Sequence, residues 1–284
     1  MLSKFDYYKP QELDDAIRYL SDHPGTRILA GGTDLLILLR RNMISCEHIL
    51  DIKQLTETHR FEQVAGEGFF IGASVTVNQI SESETIGKKY TAIKEAADAL
   101  ASYQLRNRAT LVGNICNGSP GADLAGPLLV YDAIVHIAGP NGKRELPIQE
   151  FFLGVKKIGI SPDELVIGVM LPEVKDGDKS TFLKQARIKG HDLGIAATAV
   201  RLKEDGTCSI GMTAVAPTPI RLTELENQVN ARPKTQETAE WAQGELKKHI
   251  RPISDVRSSA EYRIHISGVL IKRALLKVFE KGVL

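Results

Sequence analysis

The sequence predicts an α+β protein with two α/β lobes followed by a unit built on a three-stranded antiparallel sheet and helices. Short apolar runs typical of strands alternate with amphipathic helical segments through residues 1–175. Two glycine-rich segments lie in that part of the chain, each beside a predicted helix. Beyond a polar run at 175–179, three apolar segments separated by turns have the pattern of an antiparallel meander.

The first lobe, about residues 1–56, contains an amphipathic helix and a strand–turn–helix unit. The helix is predicted to start at Pro10, because proline is favoured in a first turn. Its apolar residues recur at i, i+3, i+4 and i+7 on one face, at Leu13, Ala16, Ile17 and Leu20. The elements that follow are a strand over 26–30, a turn over 31–34, a helix to about residue 41 and a strand over 48–52.

The second lobe, about residues 57–175, combines strands with helices. A helix is predicted over 90–101, because its apolar residues share one face, at Ile93, Ala96, Ala97 and Leu100. Asn141-Gly142 predicts a hairpin turn. The other predicted elements are a strand over 69–77, the glycine-punctuated segment 110–123, a short helix from Asp123, and strands over 134–138 and 164–171.

The C-terminal unit is predicted to span residues 176–284. Its three strands are expected at about 181–189, 194–202 and 208–215, with Asp205-Gly206 as the turn between the last two. Helices are expected at about 235–249 and 261–280. The apolar residues of the last helix are spaced for one buried face, at Ile266, Leu270, Ala274 and Val278.

Composition and charge exclude several classes of protein. Hydrophobic residues make up 43% and charged residues 25% of the 284 residues, which argues against disorder. A formal net charge of +1 gives no reason to expect a nucleic acid or an anionic membrane as partner. No apolar run approaches the roughly 20 residues of a membrane helix, so no membrane span is expected.

The N-terminal ten residues and the cysteines indicate where in the cell the protein is located. Residues 1–10 have no apolar run after the lysine and do not resemble a secretory signal. Cys46, Cys116 and Cys208 are widely spaced, which favours reduced thiols and gives no ligand set for an iron–sulfur cluster. We therefore expect a cytoplasmic protein that holds no metal.

The first candidate site is the segment Leu29-Ala30-Gly31-Gly32-Thr33-Asp34-Leu35-Leu36. Two adjacent glycines allow a sharp turn and leave no side chain in the way of a ligand. The N–H groups at the start of the next helix suit a phosphate group. The alternative is an ordinary tight turn in which Thr33 or Asp34 caps the helix.

The second candidate site is the segment from Thr110 to Asp123. Its glycines and small polar residues could surround another side of the same ligand, and Asp123 could accept hydrogen bonds from sugar or ribityl hydroxyls. The alternative is a loop in which Asp123 caps the next helix. Neither segment is a P-loop or a G-x-G-x-x-G motif, so the usual nucleotidase and nicotinamide-dehydrogenase interpretations are weak.

Together, the two segments resemble those of the FAD-binding (medium) subunits of the molybdenum hydroxylase family, the xanthine dehydrogenase and carbon monoxide dehydrogenase type. Those subunits have a first loop like LAGGTDLL and, at a similar separation, a second like QLRNRATLVGNICNGSPGADLAGPLLVYDA, here residues 104–133. The opening FDYYKP at 5–10 and the segments 163–172 and 182–192 also look like family segments. The resemblance covers essentially the whole chain.

The resemblance implies a fold and a cofactor. It implies a p-cresol methylhydroxylase-type FAD-binding domain over 1–175, with subdomains of about 1–56 and 57–175, and a C-terminal flavoprotein domain over 176–284. FAD is expected to be the only redox centre. Benzoyl-CoA reductase-type relatives have a cysteine-rich insertion for an additional cluster, and this sequence contains no four-cysteine motif.

The resemblance also implies cofactor-binding residues, carried over by position. Backbone amides of Ala30, Gly31, Gly32, Thr33 and Asp34 would hold the pyrophosphate, with Leu29, Leu35 and Leu36 nearer the adenosine. The opposite side of the pyrophosphate and the ribityl chain would be contacted by Thr110, Leu111, Val112, Gly113 and Asn114. Asp123 would bind a hydroxyl, Val166 would pack on the flavin, and Lys184 would reach the isoalloxazine edge and favour the reduced, anionic form.

Some of these assignments have ordinary alternatives. Val166 and Lys184 could simply be strand residues. Val112 stands where the family often has glycine, but it retains a backbone N–H that can donate. His191 stands where relatives often have an acidic or small residue, and a position on the surface or behind the residues that contact the ligand is favoured for it over a catalytic role.

The function implied is electron transfer, with no catalytic side chain in this chain. Electrons would come from a [2Fe–2S] small subunit, itself reduced by a molybdopterin-binding large subunit, and would leave to an external acceptor such as NAD. One alternative is a stand-alone FAD-dependent oxidase or dehydrogenase of a small substrate. Another is an assembly subunit that has lost its cofactor. The sequence specifies neither the organic substrate nor the acceptor.

Overall fold

A computed structural model describes residues 4–188 and 190–280. The strands are Asp6–Tyr8 (β1), Arg27–Leu29 (β2), His48–Asp51 (β3), Phe61–Val64 (β4), Gly68–Gly72 (β5), Ile134–Gly139 (β6), Gly142–Pro147 (β7), Phe152–Gly154 (β8), Lys157–Ile158 (β9), Leu165–Pro172 (β10), Lys179–Gln185 (β11), Ala196–Leu202 (β12), Cys208–Thr213 (β13) and Ile220–Arg221 (β14). The α-helices are Leu13–Asp22 (α1), Leu35–Arg40 (α2), Val77–Glu82 (α3), Glu84–Lys89 (α4), Thr91–Ala99 (α5), Tyr103–Arg106 (α6), Leu111–Cys116 (α7), Ala125–Val130 (α8), Ile148–Phe151 (α9), Thr223–Asn230 (α10), Gln236–Glu245 (α11) and Ala260–Phe279 (α12). Short 3₁₀ turns occupy Thr56–His59 and Leu246–Lys248.

The first lobe is a three-stranded parallel sheet in the order β1-β3-β2, with α1 on one face. The predicted buried face of α1 is confirmed at Leu13, Ala16, Ile17 and Leu20. The helix begins at Leu13 rather than at Pro10, because Glu12 still has an extended backbone. The glycine turn therefore follows β2 at one edge of this small sheet.

The second lobe is a five-stranded antiparallel sheet in the order β4-β5-β10-β6-β7. The hairpin predicted at Asn141-Gly142 is confirmed between β6 and β7. The strand predicted over 69–77 is wrong beyond Gly72. There the chain turns away, and Thr76 caps α3 through a reciprocal hydrogen-bond pair with Gln79.

The C-terminal unit is an antiparallel sheet in the order β11-β12-β13-β14, packed against α12. The three predicted strands are present, and the two-residue β14 is an additional edge strand that we did not predict. The first strand was predicted over 181–189 but ends at Gln185, whose carbonyl accepts a hydrogen bond from Ile195 N–H at 2.7 Å. Residue 189 lies outside the described residues.

The helices of the C-terminal unit agree with the predictions within a few residues. Helix α12 buries Leu270, Ala274 and Val278 as predicted, while Ile266 is half-buried. Helix α10 was not predicted. Within residues 4–188 and 190–280, the helices are all too short or too polar to cross a bilayer.

Candidate cofactor-binding site

A cavity of about 820 Å³ lies between the first two lobes, and both glycine segments line it. Its volume is within the usual range for small-molecule sites. Eleven of the sixteen cofactor-binding residues predicted from the sequence line this cavity: Ala30, Gly31, Gly32, Thr33, Asp34, Leu35, Thr110, Val112, Gly113, Asn114 and Val166. The fold thus brings together two segments that are about 80 residues apart in the sequence.

The shape of the first segment depends on its two glycines for different reasons. A Cβ on Gly31 would lie 1.9 Å from the carbonyl oxygen of Arg108, so the backbones of the two lobes meet there. Gly32 has φ +76°, a left-handed conformation that side chains disfavour. A Cβ on Gly32 would also lie 2.9 Å from the side chain of Leu29.

The first segment presents unpaired backbone donors. Leu36 N–H donates to the carbonyl of Gly32 at 3.1 Å, closing the turn. The N–H groups of residues 31–35 have no acceptor among the described residues. Asp34 occupies the N-cap position of α2, but its side chain makes no capping bond, in contrast to the alternative considered from the sequence. These donors are available to an anionic ligand.

The second segment presents its donors from the first turn of α7. Thr110 Oγ1 accepts a hydrogen bond from Gly113 N–H at 2.9 Å and so caps the helix. The N–H group of Val112, a residue that lines the cavity, has no acceptor within the described part of the chain. Asn114 Oδ1 accepts a hydrogen bond from Leu124 N–H at 3.3 Å, which orients its side-chain NH₂ as a further donor at the cavity.

Asp123 and Lys184 form a buried ion pair outside the cavity lining. Lys184 Nζ lies 2.6 Å from Asp123 Oδ2 and 3.3 Å from the carbonyl of Ala99. Only 7% of the lysine side chain and 9% of the aspartate side chain are exposed. Burial raises the pKa of Asp123, and the charge and hydrogen bond of Lys184 partly oppose that rise.

The pair differs from both ordinary alternatives. Lys184 is not a solvated strand lysine, since it is buried on β11. Asp123 does not cap α8, whose N-cap position is occupied by Leu124 without a side-chain bond. The second carboxylate oxygen of Asp123 is buried and has no hydrogen-bond partner among the described residues. An unpaired buried acceptor is costly, and a ligand hydroxyl would satisfy it.

Of the remaining predicted residues, Val166 lies at the cavity and three leucines lie away from it. Val166 is buried on β10 at a register shift and lines the cavity. Leu29 packs in the small core of the first lobe, Leu36 is 39% exposed, and Leu111 is fully buried in the main core. None of these three leucines lines the cavity. His191 is exposed.

One wall of the cavity, the hairpin of β8 and β9, was not predicted from the sequence. Lys156 and Lys157 line the cavity from it, and Arg27 lines it from the first lobe. Lys156 has φ +59°, and its ammonium donates to Asn117 Oδ1 at 2.7 Å. Exposed cations in a turn usually face solvent, so the only available signal was the cluster Val155-Lys156-Lys157 between Gly154 and Gly159.

The donor set suits a ligand with a central diphosphate. Residues with free backbone N–H groups line the cavity on two sides, three cations lie on its walls, and Val166 provides an apolar surface. Glycine at 31 and 32 keeps the turn free of side chains that would block close approach. FAD is a dinucleotide of this kind, because its central diphosphate is charged while its adenine and flavin rings are not.

The comparisons with known proteins agree with this chemistry. Residues 3–174 match the family described as FAD binding domain in molybdopterin dehydrogenase. Residues 181–278 match the family described as CO dehydrogenase flavoprotein C-terminal domain. The chain is 33% identical to the xanthine dehydrogenase FAD-binding subunit of Escherichia coli O157:H7, over 95% of this chain and 94% of that one.

Solved structures show the same fold over nearly the whole chain. A chain of carbon monoxide dehydrogenase from Hydrogenophaga pseudoflava superposes with a TM-score of 0.93 at 28% identity, covering 98% of each chain. A chain of quinoline 2-oxidoreductase from Pseudomonas putida 86 gives 0.91 at 25% identity, covering 99% of this chain and 98% of that one. The predicted family, cofactor and α+β fold class are thereby confirmed. The chain belongs to the FAD-binding subunits of the xanthine and carbon monoxide dehydrogenase type, which are flavoproteins of oxidoreductase complexes.

Proposed function

We propose that this chain is the electron-transfer subunit of a molybdenum hydroxylase with three kinds of subunit. In this proposal it takes electrons from a [2Fe–2S] small subunit, which a molybdopterin-binding large subunit reduces, and passes them to an external acceptor such as NAD. The observation that carries the proposal is the cavity, which is lined on one side by residues 31–35 with free N–H groups and on the other by Val112 with a free N–H group. The relative in Hydrogenophaga pseudoflava is called a medium chain, a name that fits a protein with several kinds of subunit.

The cofactor-binding residues divide into two groups in this proposal. The pyrophosphate is held by N–H groups of Ala30 to Asp34 on one side. On the other side it is held by the segment Thr110 to Asn114, through the N–H of Val112 and the side-chain NH₂ of Asn114. The cations of the hairpin and of Arg27 balance its charge. Leu29, Leu35 and Leu36 belong to the adenosine end, although only Leu35 lines the cavity.

The flavin end is assigned to Val166 and to the Asp123–Lys184 pair. Bound FAD supplies the redox chemistry, taking up two electrons and a proton and releasing them as a hydride when NAD⁺ is the acceptor. Asp123 would accept a hydrogen bond from a cofactor hydroxyl at its unpaired oxygen. Lys184, fixed by Asp123 and by the carbonyl of Ala99, would direct positive charge at the flavin edge.

The chain is proposed to divide at residue 175 into an FAD-binding domain, 1–175, and a C-terminal domain, 176–284. The bounds of the two matched families, 3–174 and 181–278, support this division. A cytoplasmic location is proposed as well. It is supported by the cysteines, all three of which are free thiols.

A visible spectrum and native mass spectrometry test the proposal. The purified chain should show flavin absorption but should not turn over an organic substrate by itself. Isolated from its source, it should co-purify with a cluster-bearing subunit of roughly 150–170 residues, a size expected from the family resemblance, and with a much larger subunit. Full activity of this chain alone on an organic substrate would instead show a stand-alone oxidase or dehydrogenase. A colourless protein that cannot be reconstituted would be an assembly subunit.

A further inference from the structure

A buried carboxylate lies at the end of β3, next to the first glycine segment. Asp51 is 2% exposed, and its Oδ2 accepts hydrogen bonds from the hydroxyl of Tyr7 and from Lys53 Nζ, the latter at 2.7 Å. Its Oδ1 accepts a hydrogen bond from Lys53 N–H at 2.9 Å. We call Tyr7, Asp51 and Lys53 the Asp51 cluster.

The Asp51 cluster is connected directly to the glycine turn. Lys53 Nζ also donates to the carbonyl of Ala30, at 3.3 Å. The preceding carbonyl, that of Leu29, accepts a hydrogen bond from Ile52 N–H at 3.2 Å. Two consecutive carbonyls before the turn are thus held by two consecutive residues that follow β3.

The charges in the cluster are well defined at neutral pH. Burial opposes ionisation of Asp51, but the hydrogen bonds and charge of Lys53 and the hydroxyl of Tyr7 keep its pKa below the usual value. The hydrogen bond to Asp51 raises the pKa of Tyr7 to about 12, so the phenol remains a donor. Lys53 Nζ therefore lies between the Asp51 carboxylate and the glycine turn and is hydrogen-bonded to both.

The turn needs an external restraint, since its own sequence gives it little rigidity. Adjacent glycines have the largest conformational freedom of any residue pair, and ordering them costs entropy. If the carbonyl of Ala30 were released, the peptide between Ala30 and Gly31 could rotate and turn the N–H of Gly31 away from the cavity. Holding that carbonyl in the free protein reduces the cost of binding.

We propose that Lys53 is a positioning residue for the diphosphate of FAD. It acts through the carbonyl of Ala30, which it holds so that the N–H groups of residues 31–35 face the cavity. Asp51 holds the ammonium of Lys53 in place, and Tyr7 donates a hydrogen bond to Asp51. This inference rests on the proposed use of the glycine segment by the cofactor.

FAD affinity of the full-length chain tests this inference, measured by titrating the FAD-free protein and following flavin fluorescence. Lys53→Met removes the ammonium and keeps most of the stem, and should weaken FAD binding about tenfold. Lys53→Arg should restore most of the affinity. The matched control is Lys272→Met, since Lys272 is 31% exposed and paired with Glu240, compared with 28% for Lys53, and that variant should bind FAD normally.

A second variant controls for misfolding of Lys53→Met, which leaves Asp51 buried without its counter-ion. The pair Asp51→Asn with Lys53→Met removes both charges and should fold, while still binding FAD about tenfold more weakly. Normal affinity in both variants would overturn the inference, as would an arginine variant as weak as the methionine variant. Gly32→Val tests the proposed cofactor site independently of the role of Lys53. If that variant kept its FAD, the site assignment itself would fail, whatever Lys53 does.

Discussion

The two glycine segments line the same cavity, but their shapes have different causes. In the first, the shape comes from the backbone, since Gly31 contacts the carbonyl of Arg108 and Gly32 has φ +76°. In the second, it comes from a side chain, because Thr110 caps α7. A shape set by the backbone tolerates only glycine, whereas a capped helix tolerates many residues after the cap. This difference explains how the second segment accommodates a valine at position 112.

The largest effect is expected from Gly32→Val in the first segment. A β-branched residue at positive φ costs about 1–3 kcal/mol, and its side chain would press on Leu29 and Leu36. We expect a loss of FAD affinity on the order of a hundredfold, enough for the cofactor to be lost during purification. The ratio of flavin to protein absorbance in the purified variant measures it.

Gly66→Val is the matched control for that variant. Gly66 has φ +75°, nearly the same conformation, and its missing Cβ would contact nothing within 4 Å. It lies in the turn between β4 and β5, and it does not line the cavity. The control should lose stability but keep its FAD. A Gly32→Val protein with a full complement of FAD would show that the first segment does not hold the cofactor.

The next largest effects are expected at the buried pair, on the flavin midpoint potential. Lys184→Met removes a cation that would stabilise the reduced, anionic flavin, so the potential should fall by the equivalent of about 1–3 kcal/mol, with FAD content nearly normal. Asp123→Asn leaves the cation without its carboxylate, so the potential should rise. Potentiometric titration of both variants measures the two shifts. Unchanged potentials, or shifts of the same sign, would mean that the pair does not act on the flavin.

A smaller effect is expected from Thr110→Val, which removes the cap of α7 while keeping the side-chain shape. Loss of a cap costs about 0.5–2 kcal/mol. FAD affinity should fall by up to about tenfold, because the N–H of Gly113 loses its acceptor and the first turn of α7 loosens. Thr110→Ser retains the oxygen and should bind FAD like the natural protein. Equal weakening in the serine variant would argue against the cap as the cause.

The sequence predicted elements whose pattern is local. The face of α1 and the hairpins at Asn141-Gly142 and Asp205-Gly206 follow from residue spacing and turn chemistry, and the structure has them. The prediction of a strand over 69–77 was wrong beyond Gly72, although the sequence contains a signal for the start of a helix there. Thr76 and Gln79 form a capping box, which marks the start of a helix within the supposed strand.

The parts that could not be predicted depend on contacts between distant residues. Lys184 and Asp123 are 61 positions apart, and no residue pattern shows that they are paired and buried. The contact of Lys53 with Ala30 likewise depends on β2 and β3 being neighbours in the sheet. Chain folding, rather than local sequence, decides which cation meets which carboxylate or carbonyl.

The smallest effect on cofactor binding is expected from Val112→Ala, which tests whether the second segment acts through its backbone. Val112 is 5% exposed and belongs to the main core, so removing two methyl groups should lower the free energy of unfolding by about 1–2 kcal/mol. The N–H of residue 112 is unchanged, and alanine favours the helix more than valine does. FAD affinity should therefore stay within about threefold of the natural value, while chemical denaturation shows the loss of stability. A variant that is folded but binds FAD much more weakly would mean that the valine side chain itself contacts the cofactor. The contrast between the two segments would then be wrong.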